Sequence, residues 1–140
     1  MKLLYWNIRG IANPPSRLAL KRLLLQHKPD LLFIAEPWMR YETIPVTWLH
    51  MLGFKAFSFN SRTNNIPNLW CICSLNLNPT TIHVDNQQVS FSLPINQQTF
   101  YISAIYASNS NITRKQLWKT LSNLQNLYIG PWCFIGDFYI

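Results

Sequence analysis

The chain has 140 residues and a formal net charge of +7, with twelve Lys and Arg against five Asp and Glu. That length suffices for one core, and no linker-like break in composition divides it, so one unit over 1–140 is expected. The apolar run after Lys2 is too short for a secretory signal and no segment approaches the ~20 apolar residues of a membrane span, which predicts an intracellular, soluble location with no membrane partner.

The charged share of 12% is about half the ~25% of ordinary globular chains. Such a deficit predicts either an apolar face that further chain or another protein covers, or a marginally soluble protein. The basic excess favours polyanions as partners without specifying them. Cys71 and Cys73 in a C-x-C spacing and the distant Cys133 match no zinc pattern, and all three read as buried strand thiols.

In chain order, residues 2–8 read as a strand and 10–15, with two prolines, as a loop. Ser16 caps a predicted helix whose Leu20, Leu23, Leu24 and His27 share one face, with Arg17, Lys21 and Lys28 on the solvated side, and Pro29 ends it. The run LLFIA before Glu36 predicts a strand covered on both faces. A short helix over 43–52 stops at Gly53, and 54–59 alternates as a strand. Strands follow at 69–75, 80–84, 89–93 and 99–106, with turns at Pro79 and Asp85-Asn86. The Asn/Gln-rich stretches 60–68 and 76–98 read as surface loops and hairpin edges.

A second long helix is predicted to start at Thr113, where Gln116 completes a capping box and Ile112 staples onto Leu117. Its buried stripe is Leu117, Leu121, Leu124 and Tyr128, and Gly130-Pro131 terminates it. Residues 132–138 form a last strand. Helices flanking a strand-rich middle predict an α/β fold with mixed sheets and outer helices. The tryptophans are too scattered for a stacking platform and read mostly as core, and His27, His50 and His83 read as structural or surface groups.

Three of these strands finish on polar groups: YWN on Asn7, LFIAE on Glu36 and CFIGD on Asp137. A lone carboxylate at a strand end is ordinarily a turn or cap residue. Three such ends can converge on one pocket, because ligands in open α/β folds gather at the carboxyl ends of the strands. Two carboxylates and an amide make a hard oxygen site suited to Mg²⁺ that keeps several waters and binds a phosphate. Arg9, Arg40 and Arg62 lie just past strands that can end on the same edge and are candidate nucleic-acid contacts.

Four ordered segments then carry a resemblance: WNIRG at 6–10, KPDLLFIAEPW at 28–38, IYASN at 105–109 and PWCFIGDF at 131–138. Together with the helix beginning TRKQLWKTL, they resemble the endonuclease/exonuclease/phosphatase family, most of all the endonuclease domain of plant non-LTR (LINE-type) retrotransposons. The resemblance implies the N-terminal portion of a four-layer α/β sandwich, magnesium as cofactor and DNA as partner, with the protein in the nucleus if it acts on genomic DNA. It also implies roles: Glu36 as metal ligand, Asn7 as the amide that supports the metal site or orients the phosphate, Tyr106 and Asn109 as phosphate contacts, and Asp137 as the group that positions or deprotonates the attacking water.

Two departures qualify those expectations. Tyr139 stands where the family's G-D-x-N motif has Asn, and on a strand it shares a face with Asp137. No Asp in the chain is followed by His, so the family's Ser-Asp-His segment has no counterpart. The expectation is a C-terminally incomplete domain without nuclease activity of its own. A catalytically dead, basic nucleic-acid-binding module and a decayed element remnant are the other readings.

Overall fold

A computed structural model describes residues 1–62, 64 and 66–138, apart from the side chain of Tyr41. Two four-stranded sheets face each other. The first runs β1 (Leu3–Asn7), β2 (Leu31–Ala35), β4 (Leu69–Ser74), β3 (Phe54–Phe59), with β1 and β2 parallel and the other pairs antiparallel. The second runs β5 (Thr80–Val84), β6 (Gln88–Ile95), β7 (Gln98–Tyr106), β8 (Trp132–Asp137); β8 joins β7 in parallel and ends the sheet.

Alternation along the strands sorts side chains into three cores. Leu32 and Ile34 of β2, with Trp70 and Ile72 of β4, pack under α1 (Pro14–His27) and α2 (Val46–Met51). Leu31, Phe33, Cys71 and Cys73 face the opposite way and meet Val89, Phe91 and Ile102 of the second sheet. Ile105 lies on the outer face of that sheet with Leu117 and Leu121 of α3 (Asn111–Leu127). The result is helix, sheet, sheet, helix, the expected four layers.

Several local readings are corrected. Asn13, not Ser16, caps α1: its Oδ1 accepts the Ser16 backbone N–H at 2.9 Å, and Pro14 and Pro15 occupy first-turn positions where a missing N–H costs nothing. Leu20 and Leu24 are buried, but His27 is exposed. Arg17 is not simply solvated, for its Nε donates to the Ile11 carbonyl and its guanidinium lies 5.6 Å from the Trp48 ring. The third helix starts two residues before Thr113, with Ser110 as its cap, which leaves Ile112 81% exposed and unable to staple.

Cys71 and Cys73 are buried as expected, whereas Cys133 is exposed, on a strand that among the described residues has a neighbour on one side only. Among the tryptophans Trp70 is fully buried, while Trp38 and Trp118 are 62% and 42% exposed. The Asn/Gln-rich stretches contain buried residues, namely Asn60, Gln87 and Gln88. An unforeseen two-residue turn at Asn96 and Gln97, both at positive φ, joins β6 to β7. Among the described residues no helix is long and apolar enough to cross a membrane.

Candidate active site at the strand ends

The carboxyl ends of β1, β2, β3, β7 and β8 lie on one edge of the sandwich, and backbone hydrogen bonds continue past the strands to hold the loops there. Gly10 N–H donates to the Glu36 carbonyl at 2.9 Å and Ile11 N–H to Pro37 at 3.0 Å. Across the sheets, Ser61 N–H reaches the Asp85 carbonyl at 2.9 Å.

Asn7 and Glu36 meet at the parallel β1–β2 pair, where Asn7 Nδ2 donates to Glu36 Oε2. Asn7 Oδ1 is buried and has no hydrogen-bond partner among the described residues. A buried, unsatisfied acceptor is uncommon and costs stability, on the order of 1–3 kcal/mol, unless something else satisfies it. Glu36 follows its strand with φ of 52°, in the left-handed region. Arg9 at 51° and Trp38 at 54° share this backbone, so three side-chain-bearing residues are held in a conformation that costs roughly 1–3 kcal/mol each.

Asp137 comes from the other sheet. Its backbone carbonyl accepts Ala107 N–H at 3.1 Å, and its carboxylate accepts a hydrogen bond at 3.3 Å from the hydroxyl of Tyr5. Tyr5 sits two residues before Asn7 on the same face of β1 and also donates to the Ile105 carbonyl at 2.9 Å. Burial, and then the neighbouring Asp137 charge, push the Tyr5 phenol far above its ordinary range. It is a neutral donor at every physiological pH. Gly136, at φ 154°, lets β8 approach β7 at this point, because a Cβ there would collide with the Ile105 backbone.

Tyr106 pairs in register with Asp137. With Asn109 and Arg62 it lines a cavity of about 380 Å³ that also includes Asn68, Asn86 and Gln87. The cavity adjoins the Asn7–Glu36 pair, since Glu36 N–H donates to the Asn68 carbonyl at 2.9 Å. Asp85, the nearby carboxylate, is turned into the chain, where it accepts from the Gln87 and Gln88 backbone and from Gln88 Nε2. Arg9 and Arg40 are exposed on the loops after β1 and β2.

The residues read from strand ends are therefore brought to one edge: Asn7 and Glu36 touch, while Tyr106, Asn109 and Arg62 line one cavity. Asp137 is tied to the first sheet through Tyr5. Tyr139 lies outside the described residues. Sequence reasoning missed Tyr5, Asn60 and Gln87. Asn60 accepts Leu69 N–H and donates to Asn68 and to the Asn86 carbonyl. Gln87 accepts Ser108 N–H and donates to the Thr113 carbonyl. The only signal was position: Tyr5 shares a face with Asn7, and Asn60 directly follows a strand.

Among the described residues no three His, Cys, Asp or Glu side chains cluster as a protein-only metal cage. One carboxylate beside a buried, unsatisfied amide oxygen fits a hard cation that keeps most of its ligands as water and substrate oxygen.

No protein-family model and no curated protein sequence matches this one. Solved structures do. The endonuclease domain of TRAS1, a telomere-specific non-LTR retrotransposon, aligns at TM-score 0.68 and 14% identity over 97% of this chain and 59% of its own. A 3'-5' exonuclease from Neisseria meningitidis aligns at 0.69 and 18% over 100% and 58%. An AP endonuclease from Archaeoglobus fulgidus aligns at 0.64 and 17% over 98% and 56%. The chain thus has the endonuclease/exonuclease/phosphatase fold. It spans somewhat under three-fifths of these three chains.

Proposed function

We propose that this chain forms the metal- and phosphate-binding portion of a nucleic-acid phosphodiesterase, of the kind that nicks DNA in retrotransposons. The observation that carries the reading is the Asn7–Glu36 pair, with its unsatisfied buried amide oxygen, at the strand-end edge of a fold shared with nucleases. Glu36 and Asn7 would hold Mg²⁺, which when bound supplies charge neutralisation at a phosphoryl oxygen and at the leaving oxygen. Tyr106, Asn109 and Arg62 bind the phosphate through the cavity they share. Asp137, steadied by the Tyr5 hydroxyl, orients a water or the phosphate beside it. Arg9 and Arg40 engage the neighbouring backbone of the nucleic acid.

Full hydrolysis in this fold also draws on a His partner for water activation, by the resemblance noted above, and no Asp-His pair occurs in this chain. The chain is accordingly expected to bind DNA in a Mg²⁺-dependent way without turning it over. The test pairs fluorescence anisotropy on a labelled DNA duplex, with Mg²⁺ and with chelator, against nicking of supercoiled plasmid. Mg²⁺-strengthened binding that Glu36→Gln abolishes supports the reading. Binding indifferent to both Mg²⁺ and Glu36→Gln overturns it in favour of a purely basic binding module.

A further inference from the structure

Trp38 is the residue at this edge that the phosphodiesterase reading leaves without a role. Its ring is 62% exposed and makes no aromatic pair among the described residues. Exposure alone is ordinary, but two features set this tryptophan apart. Its backbone is held at φ 54°, a conformation that bulky side chains rarely adopt, so the chain is bent here in a way that a hydrophobic contact does not require. Its ring also lies over a glycine: a Cβ on Gly10 would come within 3.1 Å of Trp38 Cε3. Gly10 is buried and its N–H is bonded to the Glu36 carbonyl. The ring is thus seated on fixed backbone while much of its surface remains open to solvent.

The surroundings specify what would sit on it. Trp38 follows Glu36 by two residues, at most about 7 Å of chain, so an occupant of the ring neighbours whatever Glu36 binds. Arg40 follows it by two residues and Arg9 precedes Gly10, on which the ring rests; both are exposed, with no carboxylate partner for either guanidinium among the described residues. A flat apolar surface beside unpaired cations suits a π-face joined to an anionic backbone, which is a nucleotide within a strand.

We propose that Trp38 is a stacking platform for an unpaired nucleobase next to the phosphate held at the Glu36 edge. The inference rests on the phosphodiesterase reading for the strand's path. It assigns to this edge a preference for single-stranded or distorted nucleic acid, because a base inside an intact duplex cannot present its face to the ring.

The experiment uses the whole chain and a labelled single-stranded DNA dodecamer, alone and with one abasic position moved along it. Binding is read by anisotropy and by intrinsic tryptophan fluorescence. The expected result is quenching of fluorescence on binding, an affinity about ten-fold lower in Trp38→Ala with the quench largely removed, and recovery of most affinity in Trp38→Phe. One abasic position should weaken the unmodified protein by a similar factor and leave Trp38→Ala unaffected. Affinity within two-fold in Trp38→Ala with the quench intact, or no binding to any single strand, overturns the proposal. Repeating the titration with Glu36→Gln separates the two readings. Loss of Mg²⁺ dependence with the Trp38 quench retained supports both, whereas Mg²⁺ indifference in the unmodified protein with that quench present removes the metal reading and leaves the platform.

Discussion

β2 and β8 each end in a carboxylate at the same edge, yet the molecule holds them in opposite ways. β2 lies between two strands with helices on one face and the second sheet on the other, and all five of its residues are buried. Among the described residues β8 has one strand neighbour; it carries an exposed Cys133 and a Phe134 that is 37% exposed, and meets the first sheet through the Tyr5–Asp137 hydrogen bond and the partly buried Ile135. Glu36 is therefore placed by a rigid scaffold, while Asp137 depends on an edge strand, held by its pairing with β7, the Ala107 N–H, the packing of Ile135 and the Tyr5 phenol. Stability and site geometry are coupled tightly at the first and loosely at the second.

The largest effect expected on this contrast comes from Phe33→Ala, which should cost roughly 3–5 kcal/mol in chemical denaturation, since Phe33 is fully buried between the sheets. Gly136→Ala should follow, at roughly 1–3 kcal/mol, and should also release β8. Amide hydrogen exchange would then show faster exchange in residues 132–137 while β2 stays protected. Equal loss of protection in both strands would break the contrast.

Tyr5→Phe removes the donor shared by Asp137 and the Ile105 carbonyl and should cost about 1–2 kcal/mol. Its pH dependence is a sharper sign. Burial raises the Tyr5 phenol and the Cys71 and Cys73 thiols above their ordinary values. The folded state thus holds protons that the unfolded chain gives up. Their contribution to stability is complete below the unfolded values, about 8.5 for the thiols and about 10 for the phenol, and is lost as pH climbs above them. Thermal melting should fall above about pH 8.5, less steeply in Tyr5→Phe than in the unmodified chain. The smallest effect is expected at Cys133→Ser, within about 0.5 kcal/mol, because this β8 side chain is exposed.

Much of the fold was legible because its signals are local. Alternation at 54–59 predicted a strand with the observed bounds, as did the reading of 80–84, and the continuous apolar run at 31–35 correctly implied cover on both faces. Capping was less legible. Several polar residues crowd each helix start, and only the closed geometry selects Asn13 and Ser110 from among them. The same ambiguity hid Asn60 and Gln87, whose amides read as loop composition until the loops around them were brought together.

By itself the sequence determined the period of each strand, the two long helices and the polar residues at three strand ends, since turn residues and hydrophobic spacing act over a few positions. Only the tertiary structure decided which of those ends touch. Tyr5 meets Asp137 across 132 positions and Asn7 meets Glu36 across 29. Such contacts depend on strand order and on the facing of two sheets, and no local pattern encodes either. The exposure of Trp38 and of β8 was decided in the same way. Burial is a property of neighbours, and these residues, apolar as they are, have too few of them.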